Sequence, residues 1–182
     1  GVISVGGLIS SFVIPPIALK IFKTGYRAFQ WTQAFTAIAY VILFFFGKNT
    51  SILFPVSFIA TLFATASTAF VGILINDTID YIQLKEGVSL NGTIAAIKGF
   101  AEKCGSTLNN SGVLAMLAVT GYVAGEIGGQ PESALMGIRI LRFGIPVLTC
   151  VIIIICLMFY PVAKHYDEIK KMKDEMKANE NA

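Results

Sequence analysis

Apolar and polar positions fall in long blocks along the chain, and the apolar blocks have the length of membrane spans. Residues 2–19 form a run without a charge, and its helical length of about 27 Å is close to the ~30 Å hydrocarbon core of a bilayer. Pro15 and Pro16 near its end predict a kink or break. Lys20, Lys23 and Arg27 follow, with Thr24 and Gly25 as the turn. A second span is predicted over 28–46, with Trp31 at one interface and Phe44–Phe46 at the other. After a polar turn at 47–51, residues 52–75 make a third span. Its small residues Ala60, Ala64, Ser67, Thr68 and Gly72 suit close helix packing, and Ser67 or Thr68 is the alternative as a substrate-facing group. Residues 76–91 read as a polar connector and 92–119 as a fourth span N-capped by Asn91. A Gly-rich connector over 121–133, containing Pro131, leads to a fifth span over 135–162. Arg139 and Arg142 stand at its start and Pro146 inside it. A charged helical tail over 163–182 closes the chain, with Glu168, Lys171 and Glu175 at helix-pairing offsets.

The fourth span breaks the pattern. At 100° per residue, Lys98, Glu102, Lys103, Ser106, Thr107, Asn109, Asn110 and Ser111 cover an arc of roughly 220°. Each charge inside a span costs about 2.5–3.5 kcal/mol on the mildest scale, so this face must line water or meet polar partners. Glu102 reads either as a cation ligand or as the i,i+4 partner of Lys98. Asp77 and Asp80 sit three residues apart, at what reads as the end of the third span. Carboxylates there oppose the helix dipole and call for positive partners among Lys20, Lys23, Arg27 and Lys85. They make either a plain interfacial salt bridge or a charge network that breaks and re-forms as helices rock.

Composition agrees with a membrane protein. Apolar residues make up 55% and charged residues 14%, against about 25% charged in a soluble domain, and mean hydropathy is +0.72. The net charge of +3 follows from lysines in loops and tail and points to no nucleic-acid partner. Cys104, Cys150 and Cys156 have neither CxxC nor Cys/His spacing, so no metal site or disulfide framework is expected. His165 is expected as an exposed tail residue. The chain starts at Gly1 inside an apolar run, which reads as a piece of a longer polypeptide.

Asp77-x-x-Asp80-Tyr81, Lys85-x-Gly87, Gly92 and Phe100-x-x-Lys103-x-Gly105, continued by Gly121-Tyr122, Gly137-Ile138-Arg139, Pro146 and Tyr160-Pro161, resemble the C-terminal half of the glycoside–pentoside–hexuronide:cation symporters. That resemblance implies an all-α membrane protein whose five transmembrane helices correspond to helices eight to twelve of a major facilitator superfamily fold. Residues 1–162 would be a partial C-terminal six-helix bundle and 163–182 a cytoplasmic tail. It further implies that Lys103 stands at the cation site and meets acidic residues of an absent N-terminal bundle. The expected cation and substrate site is Lys103, Glu102, Thr107 and Asn110. The expected cytoplasmic charge network is Asp77, Asp80, Tyr81, Lys85 and Arg27. The chain departs from the family pattern at Ile82-Gln83, where Gly-Glu is usual, and at Ser89, where an arginine is common.

The expected function is therefore sugar or glycoside symport with a monovalent cation, Na+ or H+, by alternating access, with no other cofactor. The expected partners are the lipid bilayer and the missing bundle of the same polypeptide. A small membrane interaction or assembly protein without transport is the alternative. A membrane enzyme lacks support, because no nucleophile–base pair, metal cluster or phosphate loop is legible. Nine basic residues fall in the loops at 20–27 and 76–91 and in the tail, against Lys48, Arg139 and Arg142 on the other side. The positive-inside rule then puts the tail in the cytoplasm of a cell-membrane protein. In a cysteine-free background, an impermeant thiol reagent applied to intact cells should label a cysteine at 48–50 and spare one at 170–172; labelling of the tail position would reverse the orientation.

Overall fold

The computed structural model describes residues 2–88, 90–124 and 129–180; within them, the side chains of 2–5, 173 and 176–180 are not described. Ser89, the middle of the 121–133 connector and the side chains of Lys173 and Lys177 thus lie outside the described residues. The regular structure is helical: α1 Val2–Phe22, α2 Gly25–Phe46, α3 Thr50–Glu86, α4 Asn91–Val119, α5 Glu132–Arg139, a π-helical segment Ile140–Gly144, α6 Ile145–Met158, a 3-10 turn Pro161–His165 and α7 Tyr166–Glu180. Among the described residues, three helices are both long and apolar enough to cross a membrane: Gly25–Phe46, Thr50–Glu86 and the composite Glu132–Met158. Gly6–Phe22 is a shorter apolar helix. The 29 residues of α4 span about 43 Å, but its polar arc keeps it out of that apolar class.

Several predicted boundaries move. Helix α1 runs through Pro15 and Pro16 without a break and stops at Lys23, which takes the left-handed conformation (φ 61°) and returns its N–H to Leu19 O at 2.9 Å. The third span does not give way to a connector at 76. Helix α3 continues to Glu86 and ends only at Gly87, whose φ of 68° makes the left-handed cap. Residues 76–86 hold no glycine or proline, and Ile79, Ile82 and Tyr81 keep a helical apolar spacing. Asp77 and Asp80 are therefore interior to a helix. Asn91 is the first residue of α4, and Leu90 occupies the capping position without a side-chain bond. The fifth span is interrupted by the π segment, where the Ile145 N–H reaches back to Ile140 O. Pro146 has no N–H to give the Arg142 carbonyl, and a wider turn just before it absorbs that loss.

Helix α3 is the packing centre, flanked by α1 and α2, with α6 on the far side of α2. Against α1 the seam is small and polar. Ser10 Oγ lies 2.7 Å from Gly7 O and 2.8 Å from Thr65 Oγ1, and Thr65 Oγ1 lies 2.9 Å from Gly7 O. A methyl group on Gly7 would stand 3.1 Å from Thr65 Cγ2 and 3.3 Å from Thr61 Cγ2. Against α2, Ala60 meets Ala39 and Leu43, while Phe70 meets Ala28, Phe29 and Leu157 of α6. The small-residue expectation holds for Ala60 and Ser67, which are buried. It fails at Thr68, which is exposed and bonds back to Thr65 O of its own helix, and at Gly72, which has nothing within 4 Å of a Cβ position.

The charged tail is not wholly solvated. The 3-10 turn and α7 lie against the end of α3, with Val162 and Ile169 buried to 2% and 1% exposure. Because lipid gives no hydrophobic drive to helix association, the α1–α3 seam depends on close approach. Gly7→Leu should therefore lower the melting temperature of the detergent-solubilised full-length protein by several degrees, whereas Gly72→Ala should leave it within about a degree; equal effects would mean that α1 is not seated through Gly7.

Candidate functional site

Helix α4 joins the rest along one edge only. Its C-terminal end is fixed to α5: Ser133 Oγ donates to Thr120 O at 2.9 Å, and a Cβ on Gly137 would fall 2.8 Å from Thr120 Cγ2. None of its residues is buried. Between α4 and the α2–α3–α6 frame lies a cavity of about 700 Å³. Tyr40 comes from α2, Ser57, Thr61 and Ala64 from α3, and Asn109, Val113 and Leu117 from α4, while Arg142 and Phe143 enter from the π segment.

The predicted site residues divide between different faces of α4. Lys103 and Thr107 line an open groove of about 400 Å³ with Phe100, Cys104 and Leu108, turned away from the central cavity. Both Ser106 Oγ and Thr107 Oγ1 bond back to Lys103 O, at 3.0 and 2.9 Å. Glu102 accepts from Lys98 Nζ at 2.6 Å, the i,i+4 pairing that the sequence offered as one of its two readings. With side-chain exposures of 43% and 63%, the pair is worth roughly 0.3–0.5 kcal/mol. Asn110 is exposed and lines neither space.

At the other cluster, Asp77 is buried to 6% exposure and sits beside the first residue of α2, since a methyl group on Gly25 would lie 3.6 Å from Asp77 Oδ2. The carboxylate thus stands at the positive end of a neighbouring helix rather than at the negative end of its own, an arrangement that stabilises the anion. Tyr81 packs against His165 with the rings tilted by 49° (centroids 5.1 Å apart), and Lys85 Nζ lies 5.8 Å from the centroid of the Tyr81 ring. His165 is therefore packed against α3, not the freely exposed residue expected. Arg27 turns to its neighbour Tyr26, with Nε 3.0 Å from the hydroxyl. Asp80 lies one turn from Asp77 on the same helix. The five residues gather at one end of the bundle, with Arg27 directed aside.

The family model described as "MFS/sugar transport protein" matches residues 1–164. The chain belongs to the glycoside–pentoside–hexuronide:cation symporter family of the major facilitator superfamily. It is 33% identical to the uncharacterized symporter YnaJ of Bacillus subtilis (strain 168) over 77% of this chain and 29% of that protein. It is 26% identical to the isoprimeverose transporter of Lactiplantibacillus pentosus over 77% of this chain and 30% of that protein. Identity to the inner membrane symporter YicJ of Escherichia coli (strain K12) is 30%, over 88% of this chain and 35% of that protein. The chain thus spans about a third of the length of these curated relatives. No solved structure matches it.

For this symporter-family chain, sequence reasoning missed the cavity's polar lining. Tyr40, Ser57 and Thr61 lie in spans that read as apolar, and Arg142 read as a boundary residue. Asn109 was visible in the polar arc but gave no sign of which way it points. Arg142 carried the one available signal, a charge ten residues inside a helix that begins at Glu132. The Asp77 environment also yields a test. A Cβ on Gly25 would meet Ile73 Cγ2 at 2.8 Å, and overpacking of this kind costs about 1–3 kcal/mol. Gly25→Ala should destabilise the full-length protein measurably in a thermal melt, and an unchanged melting temperature would mean that Ile73 and Asp77 do not pack against Gly25.

Proposed function

We propose that this chain forms helices eight to twelve of a twelve-helix symporter that carries a sugar or glycoside with Na+ or H+ across the cell membrane. Its tail is cytoplasmic, and its partner in transport is an N-terminal bundle of the same polypeptide. The observation that carries this reading is α4. It is long enough to span a bilayer, its polar arc includes Lys98, Glu102, Lys103, Thr107 and Asn110, and none of its residues is buried. A membrane helix of that character needs a second polar wall, and a facing bundle supplies one. Family membership and similarity to two relatives, an isoprimeverose transporter and a glucuronide carrier protein homolog of Escherichia coli (strain K12), support a sugar as cargo.

In this reading Lys103 is the cationic group of the coupling site. It lies twelve residues into α4, roughly 18 Å from the helix start, beyond what snorkelling alone covers. It needs a carboxylate from the facing bundle, and an incoming cation competes for that carboxylate. Thr107 and Asn110 supply hydrogen-bonding groups one and two turns further along. Lys98 is satisfied within its own helix by Glu102, so Glu102 acts first as a partner of Lys98. The Asp77, Asp80, Tyr81, Lys85 and Arg27 cluster holds the cytoplasmic end closed in one state and releases it in the other. Access alternates by rocking of one bundle on the other.

In the full-length protein, Lys103→Ala should abolish cation-coupled uphill sugar accumulation while expression and insertion persist. Lys98→Ala should retain most of it, since it removes only an exposed i,i+4 pair. Equal accumulation by the two variants would make Lys103 structural and withdraw this reading of α4.

A further inference from the structure

A second surface has a construction of its own, at the turn between α1 and α2. Below that turn an apolar groove of about 380 Å³ runs between α1, α2 and α3. Ile14, Ile17 and Ile21 form one side, Trp31 and Phe35 the other, and Phe63 the floor. No acidic residue lines it. From Ile14 to Phe22 it extends about 12 Å along the helix axis, the length of much of one acyl chain. Aromatic contacts run along its wall: Phe22 stacks on Trp31 at 5.8 Å, Trp31 meets Phe35 in a tilted pair at 6.1 Å, and Phe35 stacks on Phe63 at 5.4 Å.

Basic residues adjoin its lining. Lys23 follows Phe22 and Arg27 precedes Ala28, both are exposed, and Lys20 lies one turn back on α1. Lys23 holds a left-handed backbone, φ 61°, a conformation usually left to glycine or asparagine. Arg27 lies one helical turn before Trp31, on the flank of the groove, and the amphipathic indole suits the headgroup level of a bilayer. The nearby carboxylate of Asp77 is buried beneath Gly25, so the exposed surface at the turn is basic. An aliphatic slot beside a turn that carries exposed basic residues is complementary to a single amphiphile with an anionic head.

We propose that this turn and groove bind an anionic glycerophospholipid, its phosphate on Lys23 and Arg27 and one acyl chain along Ile14–Ile21 and Trp31–Phe35. The groove shares no residue with the central cavity, although Arg27 also belongs to the cytoplasmic cluster of the proposed function, and the site holds for either orientation of the chain, because the turn lies at an interface in both. A bound lipid would bridge α1 and α2 where the connecting turn is shortest.

The test uses full-length protein in nanodiscs doped with diazirine-acyl phosphatidylglycerol or with the matching phosphatidylcholine, followed by irradiation and peptide mapping. Phosphatidylglycerol should label peptides within 14–35 several-fold more than phosphatidylcholine. Lys23→Gln should cut that preference about fivefold, as expected for loss of one basic group near a charged surface. Lys23→Gly relaxes the backbone at the same position and should cut it equally, which separates charge from folding. Excess soluble glycerol phosphate should leave the labelling unchanged, and competition by it would mean a free-phosphate site. Equal labelling by the two lipids, or none within 14–35 because another protein segment fills the groove, would overturn the proposal.

Discussion

Close approach of α1 and α2 to α3 is the constraint on which the other parts of the structure depend. In hydrocarbon the apolar surface of a helix is as well solvated by lipid as by protein, so association must come from tight contact and from polar groups that satisfy one another. Gly7 lets the α1 backbone reach Thr65, and the hydroxyls of Ser10 and Thr65 share the carbonyl of Gly7. Ala60 and Phe70 provide the corresponding contacts toward α2 and α6. With α3 held on both sides, its 37 residues extend about 55 Å as one rod. That rod carries Asp77, Asp80, Tyr81 and Lys85 in its last turns.

The extension gives the tail something to hold. The Tyr160 hydroxyl lies 2.9 Å from Thr78 Oγ1 and 3.1 Å from Leu74 O, the His165 ring packs against Tyr81, and Ile169 is buried. The last transmembrane segment, the tail helix and the acidic end of α3 therefore form one assembly. Any rocking of the bundle moves all three together, and the charge cluster is carried by helical structure rather than by a loose loop.

Helix α4 stands in contrast. Its polar arc is incompatible with lipid, yet the frame covers only the edge that carries Asn109, Val113 and Leu117. Lys98 and Glu102 neutralise each other along the helix, while Lys103 faces outward. The π segment on the opposite wall has a related role. By widening one turn ahead of Pro146, it places Arg142 among the groups that surround the central cavity. The two polar walls are thus built by different means, one from sequence periodicity and the other from a backbone irregularity.

The sequence by itself determined the all-helical membrane class and the apolar blocks, and it singled out two groups of misplaced charges, because hydropathy and charge are local properties. The spacing of Asp77, Asp80, Tyr81 and Lys85, and of Phe100, Lys103 and Gly105, was enough to indicate the family. The length of α3 was also written in the sequence, in the absence of a breaker before Gly87, but the polar character of 76–86 outweighed it. Only the tertiary structure decided which face of α4 meets the cavity, that Asp77 serves the N-terminus of α2 rather than the end of its own helix, and that Ile169 and His165 dock the tail. Each of those outcomes depends on what another helix places opposite a side chain. A pattern along one chain records which residues share a face; what lies across from that face is set by packing, between residues as distant in sequence as Gly25 and Asp77.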